Sequence, residues 1–316
     1  MKGTVYKSTG SWYTVKSQQG DFYQCRIKGK FRIGNIKSTN PVAVGDQVIF
    51  KVETKGDETV GVIHTIEPRD NYIIRKSVNL SKQTHIIAAN IGVAFLLVTL
   101  NNPPTFTTFI DRFLVTAEAY HVKAVLLFNK IDLYNEEELL EIKYLAALYR
   151  NIGYDCIGIS AKTGKNVDKV KAFMEDKVTL FSGHSGTGKS TLVNAIEPNL
   201  DLKTAEISEQ HQQGQHTTTF AEMYDLSFGA QIIDTPGIRG FGVVEIDKEE
   251  LGNYFPEFFE RKQECKFNNC LHINEPQCAI KEALEASEIA WSRYKSYLQI
   301  LEGEDDGYRK DIYKKE

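Results

Sequence analysis

The chain has 316 residues, of which 41% are hydrophobic, and a formal net charge of −4. No apolar run approaches the roughly 20 residues of a membrane-spanning helix, so a helical membrane protein is excluded and no membrane partner is expected. The length predicts two or three domains, and the absence of a signal peptide together with five cysteines, an odd number, favours the cytoplasm.

Five short segments near the N-terminus have the alternating apolar pattern and the turn residues typical of β-strands. They cover residues 3–6, 11–15, 22–27, 46–52 and 61–66. Five strands are the count of an OB-fold β-barrel, so we predict an OB domain over residues 1–70.

Positive charge is concentrated in the same region. Residues 1–76 hold 13 Lys and Arg against 7 Asp and Glu, a net of +6, and residues 77–316 therefore carry −10. The basic side chains of the third strand and the loop after it are Arg26, Lys28, Lys30, Arg32 and Lys37. With Trp12, Tyr13 and Tyr23 nearby, this face is suited to single-stranded RNA, through phosphate contacts and base stacking. A solvated barrel face with core aromatics is the alternative.

A second domain is predicted over residues 71–240. Residues 91–98 are a continuous apolar run, typical of a parallel strand buried on both faces. Residues 107–120, 136–149 and 167–174 have the apolar spacing of amphipathic helices that would cover such a sheet. This alternation predicts an α/β fold.

The segment after the apolar run 122–128 is suited to reading a guanine base. Its residues are Asn129, Lys130, Ile131 and Asp132. A carboxylate such as Asp132 accepts hydrogen bonds from guanine N1–H and the 2-amino group, whereas adenine offers neither donor. After the strand 155–159 come Ser160, Ala161 and Lys162, similar to an element whose backbone N–H meets guanine O6. An ordinary strand-to-helix turn is the alternative for this second piece.

Residues 183–190 have the spacing G-x4-G-K-[ST] of a phosphate-binding P-loop. They are Gly183, His184, Ser185, Gly186, Thr187, Gly188, Lys189 and Ser190, followed by Thr191. A triphosphate needs backbone N–H groups, glycines that allow close approach and a helix N-terminus aimed at its charge. Lys189 is expected to reach the β- and γ-phosphates and Ser190 to ligate Mg²⁺. An apolar strand over 178–181 and helical spacing over 190–196 favour this reading over a Gly-rich turn.

Two later segments complete the nucleotide set. Residues 231–237 predict a buried strand ending in Asp234, which can hold Mg²⁺ through water, and Gly237, whose N–H can meet the γ-phosphate. Residues 214–219 contain three threonines, of which Thr218 or Thr219 is the expected second Mg²⁺ ligand. A β-rich edge segment is the alternative for the threonines.

Near the C-terminus, three of the five cysteines and one histidine fall within fourteen residues. They are Cys265, Cys270, His272 and Cys278. This is the composition of a closed tetrahedral Cys₃His zinc site, which leaves no open position and is therefore structural. Free buried thiols are the alternative.

Residues 279–301 have helical spacing and predict a helical tail. The apolar residues of its stripe are Leu284, Ile289, Trp291, Tyr294 and Leu298. Core packing and a docking stripe are both open for these side chains.

The base-reading loop precedes the phosphate loop in this chain, whereas in most GTPases the phosphate loop comes first, so the order of the motifs is rotated. NKID, SAK, GHSGTGKS, HTTT and DTPG, followed by the Cys/His cluster, resemble the circularly permuted GTPases called ribosome small-subunit-dependent GTPase A, over nearly the whole chain. The resemblance implies an N-terminal OB-fold β-barrel, a central circularly permuted α/β P-loop GTPase domain and, over residues 241–316, a zinc-binding domain with α-helices. It also implies a late assembly factor of the small ribosomal subunit, with that subunit and its rRNA as partners, GTP and GDP as ligands, and Mg²⁺ and one Zn²⁺ as cofactors.

Hydrolysis is expected to depend on the partner. Ile238 stands where many GTPases have a glutamine that orients the attacking water, so intrinsic turnover should be slow. His216 is a candidate for positioning that water, with a local hydrogen-bonding role as the alternative. Gly237 lies 28 residues before Cys265, so the nucleotide state could reposition the zinc domain.

Three function classes follow from these motifs. The first is a monomeric GTP-hydrolysing assembly factor that small subunits stimulate. The second is a non-enzymatic, GTP-gated RNA-binding protein, which the missing glutamine permits. The third is an ATP-dependent kinase or ATPase that uses the same P-loop.

Overall fold

A computed structural model describes residues 1–27, 41–55, 58–76, 84–198, 200, 221–234 and 246–303. These residues form a β-barrel, a central sheet covered by helices, and a C-terminal helical segment. Among the helices of these ranges, none has the length and apolarity needed to cross a bilayer.

The N-terminal barrel is closed by five strands. They are β1 (Lys2–Ser8), β2 (Tyr13–Ser17), β3 (Phe22–Ile27), β4 (Gln47–Lys55) and β5 (Glu58–Ile66). The strand order is β1-β2-β3-β5-β4, with β4 pairing back onto β1 and β3 parallel to β5. Val5, Val15, Cys25, Phe50 and Ile63 fill the interior from alternating positions. The predicted OB-type barrel is thus confirmed.

Eight further strands follow. They are β6 (Tyr72–Lys76), β7 (Thr84–Ala89), β8 (Val93–Val98), β9 (Ala124–Phe128), β10 (Asp155–Gly158), β11 (Val178–Ser182), β12 (Glu222–Asp225) and β13 (Gln231–Asp234). β6 and β7 pair with each other, and the others form the central sheet in the order β10-β9-β8-β11-β13-β12. All neighbours are parallel except β12, which runs antiparallel to β13. The strands that precede the NKID and SAK motifs come earlier in the chain than the P-loop strand β11, so the fold has the permuted order.

Helices cover both faces of the central sheet. They are α1 (Thr107–Ala119), α2 (Glu136–Ile152), α3 (Val167–Met174) and α4 (Lys189–Ile196). The apolar sides of α1 and α2 pack into one core and those of α3 and α4 into the other. Because β8 and β9 are buried on both faces, their sequences are continuously apolar rather than alternating.

The C-terminal segment is made of short helices. They are α5 (Lys248–Leu251), α6 (Pro256–Phe259), α7 (Ala279–Glu285) and α8 (Trp291–Glu302). The predicted helical tail over 279–301 thus consists of two helices, with an interruption between α7 and α8 that the spacing did not predict. Ser287 there has a left-handed φ of 60°, and the turn carries Ile289 into the core. Core packing also accounts for Tyr294, but Trp291 is 63% exposed.

Within the described residues, the contacts that join these parts include two between residues far apart in the chain. β1 pairs with β12 at Lys7 and Glu222, so barrel and central sheet form one continuous sheet. On the other side, the guanidinium of Arg293 on α8 donates to Asp111 of α1 at 2.7 Å and to Glu257 of α6 at 2.7 and 3.1 Å. Tyr149 of α2 also donates to Asp111, at 2.8 Å. The C-terminal segment is thereby held on the helices of the central domain.

Candidate nucleotide site and metal centre

The loop 183–188 connects β11 to the N-terminus of α4 and has a backbone that requires glycine. Gly183, Gly186 and Gly188 have φ values of 140°, 82° and 98°, which side chains disfavour. A Cβ on Gly183 would lie 2.9 Å from the carbonyl oxygen of Leu97, and one on Gly188 would collide with the Asn129 side chain. The loop therefore presents bare backbone ahead of a helix N-terminus, the arrangement that binds phosphate.

The side chains of the loop hold its shape. Lys189 Nζ donates to the carbonyl oxygens of Gly183 at 2.6 Å and His184 at 2.7 Å. The buried Thr187 hydroxyl donates to the same His184 carbonyl at 2.9 Å. Ser190 is half-buried on the first turn of α4, whereas Ser185 and Thr191 are exposed. The Lys189 ammonium thus lies over the concave face of the loop.

Asn129 joins the three nucleotide motifs. Its amide nitrogen donates to the Thr187 carbonyl of the P-loop at 2.7 Å, and its amide oxygen accepts from the Ala161 N–H at 3.0 Å. The side chain is only 2% exposed, so both hydrogen bonds are shielded from water. Segments that are 32 and 58 residues away along the chain are therefore fixed to one another by a single side chain.

The other residues of the base-reading loop, 130–132, follow Asn129 beyond the carboxyl end of β9. Lys130 has a left-handed φ of 67°, and burial lowers the pKa of its ammonium, against the opposing effect of Asp132. The Ile131 N–H donates to the Ile159 carbonyl at 3.2 Å, and Asp132 is exposed. Ser160 is buried, its hydroxyl accepting from the Thr163 N–H at 3.1 Å. Lys162, of the same turn, is exposed.

A segment without a predicted role also lies at this site. The Asn102 carbonyl accepts a hydrogen bond from Lys130 Nζ at 2.5 Å, and Pro103 Cδ lies 3.3 Å from the Cβ position of Gly186. The Phe109 ring of α1 lies 3.9 Å from the His184 ring, centroid to centroid. The sequence contains one signal that could have indicated this contact. Residues 101–104 are turn-forming residues shortly after a buried strand, at the end of the strand where parallel sheets bind ligands.

Several predicted residues fall outside the described ranges. His216, Thr218, Thr219, Gly237 and Ile238 are among them, as are the basic residues 28–37 of the barrel. The backbone of Asp234 ends β13, one residue beyond the pairing of Leu180 with Ile233. Asp234 therefore follows a strand that lies next to the P-loop strand.

The aromatic side chains of the barrel, which were predicted to stack on RNA bases, contact other parts of the barrel in the structure. Tyr13 is a core residue, 1% exposed, and Tyr23 packs on Phe50 with ring centroids 5.3 Å apart. Tyr13 is therefore not available for stacking on bases, whereas Tyr23 is half-buried. The Trp12 ring is covered by the Arg26 guanidinium at 3.9 Å, a pairing that leaves cation and ring together near the surface.

The four predicted zinc ligands converge at one point. Sγ atoms of Cys265, Cys270 and Cys278 and a ring nitrogen of His272 all lie within 4.8 Å of one another. His272 Nδ1 is 3.7 Å from Cys265 Sγ and 3.4 Å from Cys278 Sγ. In a tetrahedral zinc site with bonds of about 2.0–2.3 Å, ligands are about 3.5–3.8 Å apart, so these donors fit the ion.

The surroundings of the cluster favour a bound cation. Burial raises the pKa of Cys270 to about 12 and also raises that of Cys278, so their thiolates need a positive charge nearby. Burial lowers the pKa of His272, which favours the neutral imidazole that binds metals. The ligand loop is held by the Glu275 carboxylate, which accepts three backbone N–H groups at 2.8–3.1 Å. The Tyr294 hydroxyl donates to the His272 carbonyl at 2.7 Å.

The comparisons with known proteins agree with this architecture. The RsgA N-terminal domain model matches residues 2–63 and the RsgA GTPase model matches residues 66–244. A small ribosomal subunit biogenesis GTPase RsgA from Christiangramia forsetii is 74% identical over 315 residues, covering 100% of both chains. A protein of the same name from Flavobacterium johnsoniae is 66% identical over 99% of this chain and 96% of its own.

Two solved structures have the same fold. YjeQ from Thermotoga maritima aligns with a TM-score of 0.76 and 35% identity, covering 96% of this chain and 97% of its own. YloQ, described as a circularly permuted GTPase, aligns with a TM-score of 0.72 and 30% identity, covering 100% and 96%. Since a GTPase family model matches more than half of the chain and close relatives span nearly all of it, the chain belongs to the RsgA GTPase family.

Proposed function

We propose that this protein binds GTP with Mg²⁺ and hydrolyses it in late maturation of the small ribosomal subunit, which it contacts through rRNA. The observation that carries the nucleotide part is the Asn129 bridge, because it fixes the phosphate loop and both guanine-reading loops as one surface. The relatives named as small ribosomal subunit biogenesis GTPases support the subunit as partner. Because this maturation takes place in the cytoplasm, we propose a cytoplasmic location. We also propose that the protein is a monomer.

The residues have separate tasks in this proposal. Lys189 would exchange its carbonyl partners for the β- and γ-phosphate oxygens, and Ser190, Thr218 and Asp234 would hold Mg²⁺, Asp234 through water. A bound Mg²⁺ would supply charge neutralisation at the phosphates. Gly237 offers its N–H to the γ-phosphate. The P-loop backbone binds the remaining oxygens without side-chain interference.

Ile238 gives this enzyme a dependence on its partner. An alkyl side chain cannot orient water, so we propose that binding to the small subunit orders the site and allows His216 to position the nucleophile. A GTP-gated RNA binder without turnover is the second candidate, favoured by the same Ile238. Multiple-turnover phosphate release in the presence of subunits excludes it.

Base selectivity is tested at Asp132. Replacing it with Asn removes an acceptor for guanine N1–H and the 2-amino group, so Asp132→Asn should weaken GTP binding at least about 100-fold while xanthosine triphosphate, which offers an acceptor at position 2, binds better. Equilibrium titration with labelled GTP, ATP and xanthosine triphosphate measures this. Asp168→Asn, an exposed acid on α3, is the matched control and should bind GTP like the wild type. Preference for ATP in the wild-type protein would contradict the assignment.

We propose zinc as the ion of the Cys₃His cluster and a structural role for it, since four protein ligands leave no position for substrate. Elemental analysis of the purified protein should find one zinc per chain. Cys270→Ser should lose the ion, and exchange protection should then fall in the C-terminal segment but remain in the central sheet. Full protection of this segment without metal would refute a structural role.

The domain division we propose is an OB domain over 1–70, a GTPase domain over 71–240 and a zinc domain over 241–316. The family matches to 2–63 and 66–244 support the first two parts. The C-terminal core, built around Phe255, Phe258 and Tyr297, supports the third.

A further inference from the structure

Helix α2 exposes large apolar side chains beside the guanine-reading loop. Leu140 and Tyr144 are 66% and 68% exposed, and Leu133, ahead of the helix, is 65% exposed. Residues four apart in an α-helix lie on the same face, so Leu140 and Tyr144 form a continuous apolar strip. We call Leu133, Leu140 and Tyr144 the α2 surface.

The fold does not require this apolar strip. The opposite side of α2 packs into the core through Ile142, Ala146 and Tyr149. The helix start is fixed by a capping box in which Asn135 and Glu138 exchange hydrogen bonds at 2.9 Å. A single exposed leucine is ordinary in a protein surface, but several large apolar residues together are typical of a contact site.

The charge around the α2 surface identifies the class of partner. Glu136, Glu137 and Glu141 are exposed on the same helix, where they outnumber the exposed Lys143 and Arg150. Asp132 is exposed directly before Leu133. Phosphate groups of RNA would be repelled by these carboxylates, whereas a positively charged protein segment would be attracted. The acidic rim thus argues against RNA at this place, in contrast to the net charge of +6 over residues 1–76.

We infer that the α2 surface binds a basic protein segment of the small ribosomal subunit that inserts an apolar side chain between Leu140 and Tyr144. This inference rests on the proposed function. It adds a protein contact to the rRNA contacts, on a surface that begins at Leu133, one residue after the guanine-reading Asp132.

The test uses the full chain and purified small subunits, with binding measured by co-sedimentation in the presence of a GTP analogue. Leu140→Ser with Tyr144→Ser should weaken binding roughly tenfold, as the loss of a central contact does. Glu137→Lys with Glu141→Lys should also weaken binding, whereas an RNA partner would make this second variant bind more tightly. Basal GTP turnover and thermal stability should stay at the wild-type level in both.

The matched control is Asp168→Lys with Glu175→Lys, which makes the same charge change at exposed positions outside α2. It should bind subunits within twofold of the wild type. Wild-type binding of both α2 variants, or tighter binding of the Lys variant, would overturn the inference. Failure of the wild-type protein to bind subunits would instead refute the proposed function, and this inference with it.

A photo-crosslinking residue in place of Tyr144 identifies the occupant. The expected adduct with purified subunits is to a small-subunit protein. An adduct to rRNA, or to a second copy of this chain, would contradict the inference.

Discussion

At the scale of single residues, Asn129 has the widest influence on the nucleotide site. Its two hydrogen bonds hold the P-loop and the 160–162 turn in register, and the Cβ position of Gly188 is filled by its amide. Because the side chain is buried, its loss would leave the Ala161 N–H and the Thr187 carbonyl without these partners.

Asn129→Ala should therefore weaken GTP and GDP alike, by about 10–100-fold, and lower the free energy of unfolding by about 1–3 kcal/mol. Titration calorimetry and denaturant unfolding measure the two effects. Asn135→Ala is the control, since Asn135 only caps α2. It should cost about 1 kcal/mol of stability and leave nucleotide affinity unchanged. Loss of affinity for GTP alone would show that Asn129 acts in another way.

Residue types and spacing were enough to single out the residues that the structure brings together here, because backbone phosphate binding and tetrahedral metal binding each require specific residues in a narrow window. The contacts of Asn102, Pro103 and Phe109 could not be predicted in this way. Turn-formers and a phenylalanine carry no chemistry by themselves, and only the packing of α1 beside the P-loop brings them there.

At the scale of elements, α1 touches two parts of the protein at once. Phe109 lies on the P-loop His184, and Asp111, two residues later, binds Arg293 of α8. The Thr108 hydroxyl donates to Gln299 of α8 at 2.9 Å. The helix is thus a direct physical connection between the nucleotide loop and the C-terminal segment.

Arg293→Ala should destabilise the protein by about 3–5 kcal/mol, because Asp111 would keep a buried charge without its cation. Chemical unfolding followed by far-UV circular dichroism measures this loss. Arg261→Ala is the matched control, since the Arg261–Glu288 pair is solvent-exposed and should contribute at most about 1 kcal/mol. Equal effects of the two substitutions would contradict the role of the buried pair.

Helix boundaries show where prediction from sequence stops. The strongly periodic α3 was predicted at its observed limits, Val167–Met174. The break between α7 and α8 was missed, because Ser287 is not a residue that forces a left-handed turn. There the burial of Ile289 decides the conformation, a tertiary effect that local spacing does not contain.

At the scale of the whole molecule, barrel and GTPase sheet share a charged joint. Asp225, at the end of β12, accepts hydrogen bonds from Tyr6 at 2.6 Å and from Lys16. Burial alone would raise the pKa of Asp225, but the hydrogen bonds from Lys16 and Tyr6 outweigh it and lower the pKa. β12 pairs with β13, the strand that ends at Asp234. The barrel is therefore attached next to the strand that leads to the predicted nucleotide site.

The lowered pKa sets the sign of a pH dependence. A carboxyl with a depressed folded pKa adds stability above its unfolded pKa of about 3.9 and loses it as pH falls through the folded value. Asp225→Asn should therefore be less stable than the wild type at pH 7, and the difference should shrink below pH of about 4. Unfolding of both proteins between pH 3 and 7 measures this. A constant difference over the whole range would refute the electrostatic account.

The three-part architecture was predictable because each part has its own signal: strand alternation, nucleotide motifs and clustered cysteines. The contacts that join the parts could not be predicted. They rest on pairings such as Lys7 with Glu222 and Arg293 with Asp111, which are 215 and 182 residues apart. The buried Arg293 also bears on the hypothesis that the nucleotide state repositions the C-terminal segment, since such a motion must disrupt this network or carry α1 with it.

The central claim, a GTPase that works on the small ribosomal subunit, is tested most directly by one combined measurement. Co-sedimentation with purified small subunits is recorded with GDP and with a GTP analogue, while GTP turnover is measured with and without subunits. The account predicts binding with the GTP analogue, release with GDP and a marked rise in turnover when subunits are present. No binding in either nucleotide state, with identical turnover rates, would contradict it.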